Sequence, residues 1–234
     1  MKQRAGLGIA ATVAAALLAG GCQDATGETR HESSSIELDK AETAHVEIHM
    51  GGGKLNVKGG TPKLLEATFD FNVPEWRPKV DYRSGPSGGV LTIAQSTNNH
   101  SFGNTVNAWD LKLNGQLPLD VMTDMGAGEA HLELGQMNLR GVIVNMGAGE
   151  LKLDLRGVPK RDYNVQVNGG VGEAFVYLPK DAGISATASG GIGGISTTGL
   201  EKRDGVWINP EPTHSPVTVH VDVKGGVGQI NLVR

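Results

Sequence analysis

Glycine returns along this chain in closely spaced pairs, each followed by an alternating apolar run. That repeat restricts the available folds more than any other feature. The clearest copies are Gly126-Ala127-Gly128-Glu129-Ala130-His131-Leu132, Gly147-Ala148-Gly149-Glu150-Leu151-Lys152-Leu153 and Gly170-Val171-Gly172-Glu173-Ala174-Phe175-Val176. Looser copies begin at Gly51, Gly191 and Gly226. The closing glycine of the corner falls at 128, 149, 172 and 193, in steps of 21, 23 and 21 residues. A period near 21 holds two strands of about six residues and two corners, which is one rung of a β-solenoid or of a folded-over stack of hairpins. Glycine belongs at such corners because tight turns demand positive φ and stacked corners leave no room for a Cβ. The next step, from 193 to 228, is 35 residues, so an insertion around Trp207 to Pro216 interrupts the last interval.

Between the corners the pattern has period two. Val46-Glu47-Ile48-His49-Met50, Leu151-Lys152-Leu153-Asp154-Leu155 and Val217-Thr218-Val219-His220-Val221-Asp222-Val223 alternate apolar with polar, as half-buried strands do. Only Lys63 to Ala67 carries a weak helical period. The sequence therefore predicts an all-β protein, a repeat-built β-solenoid or stacked-hairpin architecture with a rung of about 21 residues. One cysteine among 234 residues excludes a disulfide scaffold, and a chain of this length buries a core without staples. The formal net charge of −4 offers nothing to a polyphosphate backbone, which argues against nucleic acid as a partner.

The chain opens with Lys2 and Arg4, followed by an uncharged run of small and apolar residues from Ala5 to Leu18. A basic start before an apolar run of about 14 residues is the layout of a secretory signal, too short for a typical spanning helix. Leu17-Leu18-Ala19-Gly20-Gly21-Cys22 resembles the lipobox of bacterial lipoproteins, with Ala19 where a large aliphatic residue is usual. The resemblance implies cleavage before Cys22 and a lipid on that cysteine, which would anchor the protein in a membrane of the cell envelope. Gln23 in place of Asp implies the outer membrane if the cell is Gram-negative. Cleavage would remove two basic residues and no acid, taking the charge from −4 to −6. The expected organisation is a lipoprotein signal peptide over 1–21 and a flexible tether over 22–35. An N-terminal β region over 36–115 follows, continuous with a Gly-cornered repeat region over 116–234.

Gly51-Gly52-Gly53-Lys54-Leu55, Ala67-Thr68-Phe69-Asp70-Phe71-Asn72 leading to Arg77-Pro78-Lys79-Val80-Asp81-Tyr82, Leu91-Thr92-Ile93-Ala94-Gln95, Trp109-Asp110-Leu111-Lys112-Leu113 and the paired Gly-Ala-Gly corners together resemble the toast-rack family. Its relatives include the C-terminal part of LiaF-like cell wall-active antibiotic response proteins and, more distantly, β-repeat adhesins. The resemblance covers roughly residues 35 to 234. These motifs are structural glycines and core positions, so the resemblance implies a fold and brings no catalytic residues. LiaF-like proteins usually carry membrane helices before this domain and act with a sensor kinase, whereas a lipobox stands there in this chain.

Motifs that invite a chemical reading do not fit their contexts. Gly85-Pro86-Ser87-Gly88-Gly89 matches G-x-S-x-G, but a nucleophile elbow needs a strand before it and a helix after it. Here Pro86 and the glycines lie between the apparent strands Lys79–Arg83 and Val90–Ala94, which spells a hairpin loop. The glycine corners lack the Gly-Lys-Ser/Thr and helix of a phosphate loop. His45, Glu47 and His49 share one strand face, yet at about 3.3 Å per residue the two histidines stand roughly 13 Å apart, too far for one ion. The remaining histidines show no ligand spacing. The sequence thus predicts no enzyme, no catalytic residue and no mononuclear metal centre.

Two features emerge when the repeats are aligned. Stacked rungs about 4.8 Å apart place Glu129, Glu150 and Glu173 in a column, which either splays into solvent or holds a cation. Ca²⁺ is the ion that an oxygen-rich cluster suits. Glu133 and Asp154 form a second acidic pair two positions along. In the same register Phe175 and Tyr177 take the outward positions that Lys152 and Asp154 fill in the preceding rung, either as an interaction surface for sugar, peptide or protein, or as the footing of the loop around Trp207 to Pro216. The functional expectation is a non-catalytic, lipid-anchored binding or scaffolding module whose partner is an envelope protein or glycan. The alternative is a regulator of envelope-stress signalling that contacts a membrane sensor.

Overall fold

The structure is a computed structural model that describes residues 27–85, 88–96, 104–210 and 215–234. In chain order the strands are β1 (Arg30–Ile36), β2 (Ala44–Thr61), β3 (Leu65–Phe71), β4 (Pro78–Gly85), β5 (Gly88–Gln95), β6 (Asn107–Asn114), β7 (Leu119–Glu133), β8 (Leu139–Asp154), β9 (Tyr163–Tyr177), β10 (Gly183–Thr198), β11 (Glu201–Arg203), β12 (Val206–Ile208) and β13 (Thr218–Val233). A single turn of 3-10 helix, Pro74–Trp76, interrupts them. Among the described residues no helix is long and apolar enough to cross a membrane.

Six long strands, β2, β7, β8, β9, β10 and β13, each pass over a glycine corner, and they stack in parallel. The corner reverses the side-chain phase. Val46, Ile48 and Met50 are buried before it in β2, and Leu55 and Val57 after it. Each rung therefore folds over on itself, so that both halves turn their apolar side chains to one shared core. The corner glycines stack in register as Gly53, Gly128, Gly149 and Gly172, followed by Gly228 and Gly193. All six have positive φ, and a Cβ on Gly149 would lie 1.9 Å from the carbonyl oxygen of Gly128. Only glycine tolerates that approach.

The first end of the stack is closed by β6, β3 and β1 on one half and by β5 and β4 on the other. The antiparallel pair β4–β5 is the hairpin expected from the sequence. At the other end the β11–β12 hairpin pairs with β10 only at Ser185 and Ala186, in the half before the corner.

The structure adds two features to the sequence reading and corrects a third, the tether. Rung order does not follow chain order, because β13 lies between β9 and β10 instead of beyond β10. The insertion before it returns the chain to the required level. Part of the expected tether is a strand, since Arg30–Ile36 pairs antiparallel with β3. An edge strand needs backbone partners more than an apolar face, and this one protects the edge with Arg30, His31 and Glu32. The weak helical period at Lys63–Ala67 is overridden, with Leu65–Ala67 opening β3, where Leu65 and Ala67 are buried.

Candidate functional site

The outer face of the half after the corner carries the aromatic pair and the acidic column. Across this face one row reads Asp110, Asn56, His131, Lys152, Phe175, Asn231, and the next reads Lys112, Lys58, Glu133, Asp154, Tyr177, Val233. Strand alternation puts Phe175 and Tyr177 on the same side of β9, with ring centroids 6.3 Å apart and planes within 9°. Both are half-buried. The Arg156 guanidinium lies 4.8 Å from the Tyr177 ring centroid and is clamped by Asp154, its Nε donating at 3.0 Å to each carboxylate oxygen. Burial pushes the Asp154 carboxyl up, but its bonds with Arg156 outweigh that and hold it below the usual range. The aromatic pair is thus flanked by a fixed cation and by the polar groups of Lys152 and Asn231. That combination offers apolar ring surface beside hydrogen-bonding groups.

The described part of the Trp207 region does not cover this pair. Trp207 is buried in β12 beside Ala186, in the half before the corner, with Lys202 Nζ 4.3 Å from its ring centroid.

Glu129, Glu150 and Glu173 do form one row, headed by Lys54 and continued by Gln229. They do not converge on a shared point. Glu129 pairs with Lys54 at 3.6 Å, Glu150 pairs with Lys152, and Glu173 accepts a hydrogen bond from Asn231 Nδ2 at 3.0 Å. The Lys152 ammonium holds the Glu150 carboxyl below its usual range. The column is thus neutralised sideways by its neighbours, and among the described residues no group of three His, Cys, Asp or Glu is placed to hold a metal ion. Asp154 of the second acidic pair is likewise taken by Arg156.

On the other half, Glu47 stands between His45 at 3.3 Å and His49 at 3.8 Å. His49 Nδ1 also contacts Asp124 at 3.0 Å. The row continues as a ladder in which Asn145 donates to Asp124 at 2.7 Å and Asn168 to Asn145 at 2.8 Å. This is a polar face satisfied by its own neighbours. Cys22, Ser87, His100 and His214 lie outside the described residues.

Sequence reasoning missed the tips of the corners. Val171, Val227 and Ile192 stand side by side with exposures of 57%, 46% and 73%, in the row where earlier rungs carry Gly52, Ala127 and Ala148. The signal was the middle letter of each corner, which grows from glycine through alanine to valine and isoleucine.

One solved structure shares this architecture. The crystal structure of a candidate cell adhesion protein from Clostridium sporogenes superposes with a TM-score of 0.84, is 32% identical in sequence, and matches over 88% of this chain and 99% of that one. A candidate adhesin from Bacteroides fragilis matches over 88% of this chain and 97% of its own, at 9% identity and a TM-score of 0.34. Among curated proteins none matches. Residues 25–177 match the N-terminal domain of toast_rack, DUF2154, and the chain belongs to that family.

Proposed function

We propose that this protein is a non-catalytic binding module of the cell envelope, held to the membrane by a lipid on Cys22, that engages an envelope glycan through the face bearing Phe175 and Tyr177. The observation that carries this reading is the near-parallel aromatic pair beside the Asp154–Arg156 clamp. Aromatic rings flanked by fixed hydrogen-bonding groups suit the alternating apolar and hydroxyl-bearing surfaces of a sugar chain. The name carried by the Clostridium sporogenes relative, a cell adhesion protein, agrees with a binding role. Sedimentation of the full chain with purified cell-wall glycan tests it. The Phe175→Ser, Tyr177→Ser double variant should lose at least tenfold in affinity while keeping its melting temperature within a few degrees, and equal retention of both proteins on the glycan would refute the assignment. Fatty-acid labelling of cells tests the anchor separately. Wild type should take up label and Cys22→Ser should not; equal labelling would remove the lipid anchor from the proposal.

A further inference from the structure

A pocket of about 190 Å³, partly open to solvent, lies at the glycine corner of the last three rungs, lined by Met146, Leu151, Val167, Val223, Ile195 and Ile230 and by glycine backbone. Its cause can be read along one inward-facing row. In β2, β7 and β8 this row holds Met50, Met125 and Met146 in register. Each methionine tucks its methyl beneath its own corner, with Cε 2.8 Å, 2.9 Å and 2.9 Å from where a Cβ would stand on Gly53, Gly128 and Gly149. Beside Met146 the next position is Gly169, and Gly225 and Gly190 stand together further along. The methionine plug is therefore missing from three successive rungs; Ile230 reaches into part of the space, its Cδ1 3.2 Å from where a Cβ would stand on Gly225, and the rest is open. Backbone crowding does not force this change. A Cβ on Gly169 would meet nothing closer than the Lys224 carbonyl oxygen at 3.8 Å, and one on Gly190 nothing closer than Ile230 Cδ1 at 4.0 Å.

The lining also defines the occupant. None of the buried polar side-chain atoms left without a partner among the described residues, those of Thr123, His131, Asn138 and Arg234, belongs to the lining. Its deeper side chains, Met146, Leu151, Val167, Val223 and Ile230, are all apolar, and burying a polar group among them without partners is unfavourable. The pocket opens to solvent at Gly169, Gly190 and Ile195, and its aliphatic side chains gain by covering apolar ligand surface. The hollow crosses three rungs spaced roughly 4.8 Å apart, so it is longer along the stack than a single rung is thick. The polar side chains in the lining, those of Glu173, Lys224 and Gln229, are exposed or half-buried, and Val171 and Val227 extend the apolar surface outward.

We infer that the hollow corner of β9, β13 and β10 is a binding site for a slender aliphatic chain, with any polar head of the ligand left at the rim. This site is distinct from the Phe175–Tyr177 face and does not depend on it. The chain is that of a free envelope lipid or the acyl group expected on Cys22; the chemistry is the same for both.

The test is fluorescence titration of the full chain with cis-parinaric acid, followed by displacement with uncharged dodecanol, in wild type, Cys22→Ser and Gly169→Met. Saturable uptake of one probe per chain, displaced by dodecanol and weakened at least tenfold by Gly169→Met with an unchanged or higher Tm, is the expected result. Uptake by both wild type and Cys22→Ser identifies a free lipid as the source, whereas uptake by Cys22→Ser alone identifies the protein's own acyl group. Absence of saturable uptake in both of these, or equal uptake by a folded Gly169→Met, overturns the assignment. Methyl NMR of the Cys22→Ser chain with dodecanol supplies a reading that needs no mutation in the corner. Shifts should concentrate on Val167, Val223, Ile195 and Ile230, and shifts confined to other regions overturn it as well.

Discussion

Replacing Gly149 with valine tests whether the stack is held at the spacing that its glycines allow. The residue has φ +124, and a Cβ there would lie 1.9 Å from the Gly128 carbonyl oxygen and 2.9 Å from Met146 Cε. Relief requires the two rungs to part by roughly 1 Å at the corner, because a close-packed interior has no slack to absorb the clash. A β-branched residue forced into this backbone region costs about 1–3 kcal/mol, and each ladder hydrogen bond lost at the corner about 1 kcal/mol more. The expected total is about 3–5 kcal/mol, a large share of the stability of an ordinary domain, about 5–15 kcal/mol. Gly60 supplies the control. Its φ is +118, yet nothing lies within 4 Å of the place a Cβ would take. Gly60→Ala therefore isolates backbone strain, at about 1–2 kcal/mol. His131→Ala, a half-buried position on the outer face, should change stability by less than about 0.5 kcal/mol. Urea titration followed by tryptophan fluorescence reads all three. If Gly149→Val unfolds at the same urea concentration as Gly60→Ala, stacking at the corner does not limit the fold and the register argument fails.

Other expectations follow from buried groups. Gly169→Met should restore the missing plug and raise stability by about 1 kcal/mol in the same titration, and a loss would show that the hollow cannot accept the side chain. Thr123 is fully buried with its Oγ1 unpartnered, between Ile48 and Val144 in adjoining rungs, so Thr123→Val should stabilise by about 1 kcal/mol. Burial pushes the Tyr163 hydroxyl well above the usual phenol range. The unfolded chain then releases a proton above pH of about 10 that the folded chain retains, so stability should fall as pH rises past that point, and Tyr163→Phe should flatten this limb of a melting-temperature profile. Asp154 behaves in the opposite sense. Its lowered folded value gives stability that is present above pH of about 4 and lost as pH falls through the folded value, and Asp154→Asn should remove that acid-side slope.

The elements that the sequence exposed are those whose cause is local. Alternation in Val46-Glu47-Ile48-His49-Met50 and the closing glycines at 128, 149 and 172 follow from side-chain burial and backbone conformation, and they predicted both the strands and the alignment of Glu129, Glu150 and Glu173. The rung order was hidden because the corners at Gly170, Gly191 and Gly226 are nearly interchangeable, so similarity between copies says nothing about which neighbours which. β1 was hidden because its partner supplies hydrogen bonds instead of an apolar seat. The fate of the glutamate column depended on Lys54, Lys152 and Asn231, of which Lys54 and Asn231 come from other strands and Lys152 lies two positions along the same strand as Glu150. The hollow corner stood in plain view as Met-Gly-Ala-Gly against Gly-Gly-Val-Gly, but only packing shows that Ile230 fills just part of the space.

The placement of β13 between β9 and β10 governs the order in which this protein can be completed. In a stack built in chain order, each rung finds its neighbour as soon as it is made, and loss of the last rung peels off only the outermost layer. Here β10 is made with an empty level beside it and waits for β13. Its only other described partner is the short contact with β12 at Ser185 and Ala186. A chain that stops before Thr218 therefore loses an internal layer and leaves Gly183–Thr198 with almost nothing to pair with. The far end of the stack closes only once Thr218–Val233 has been inserted beside Gly183–Thr198, so the last-placed layer of this region is an inner one.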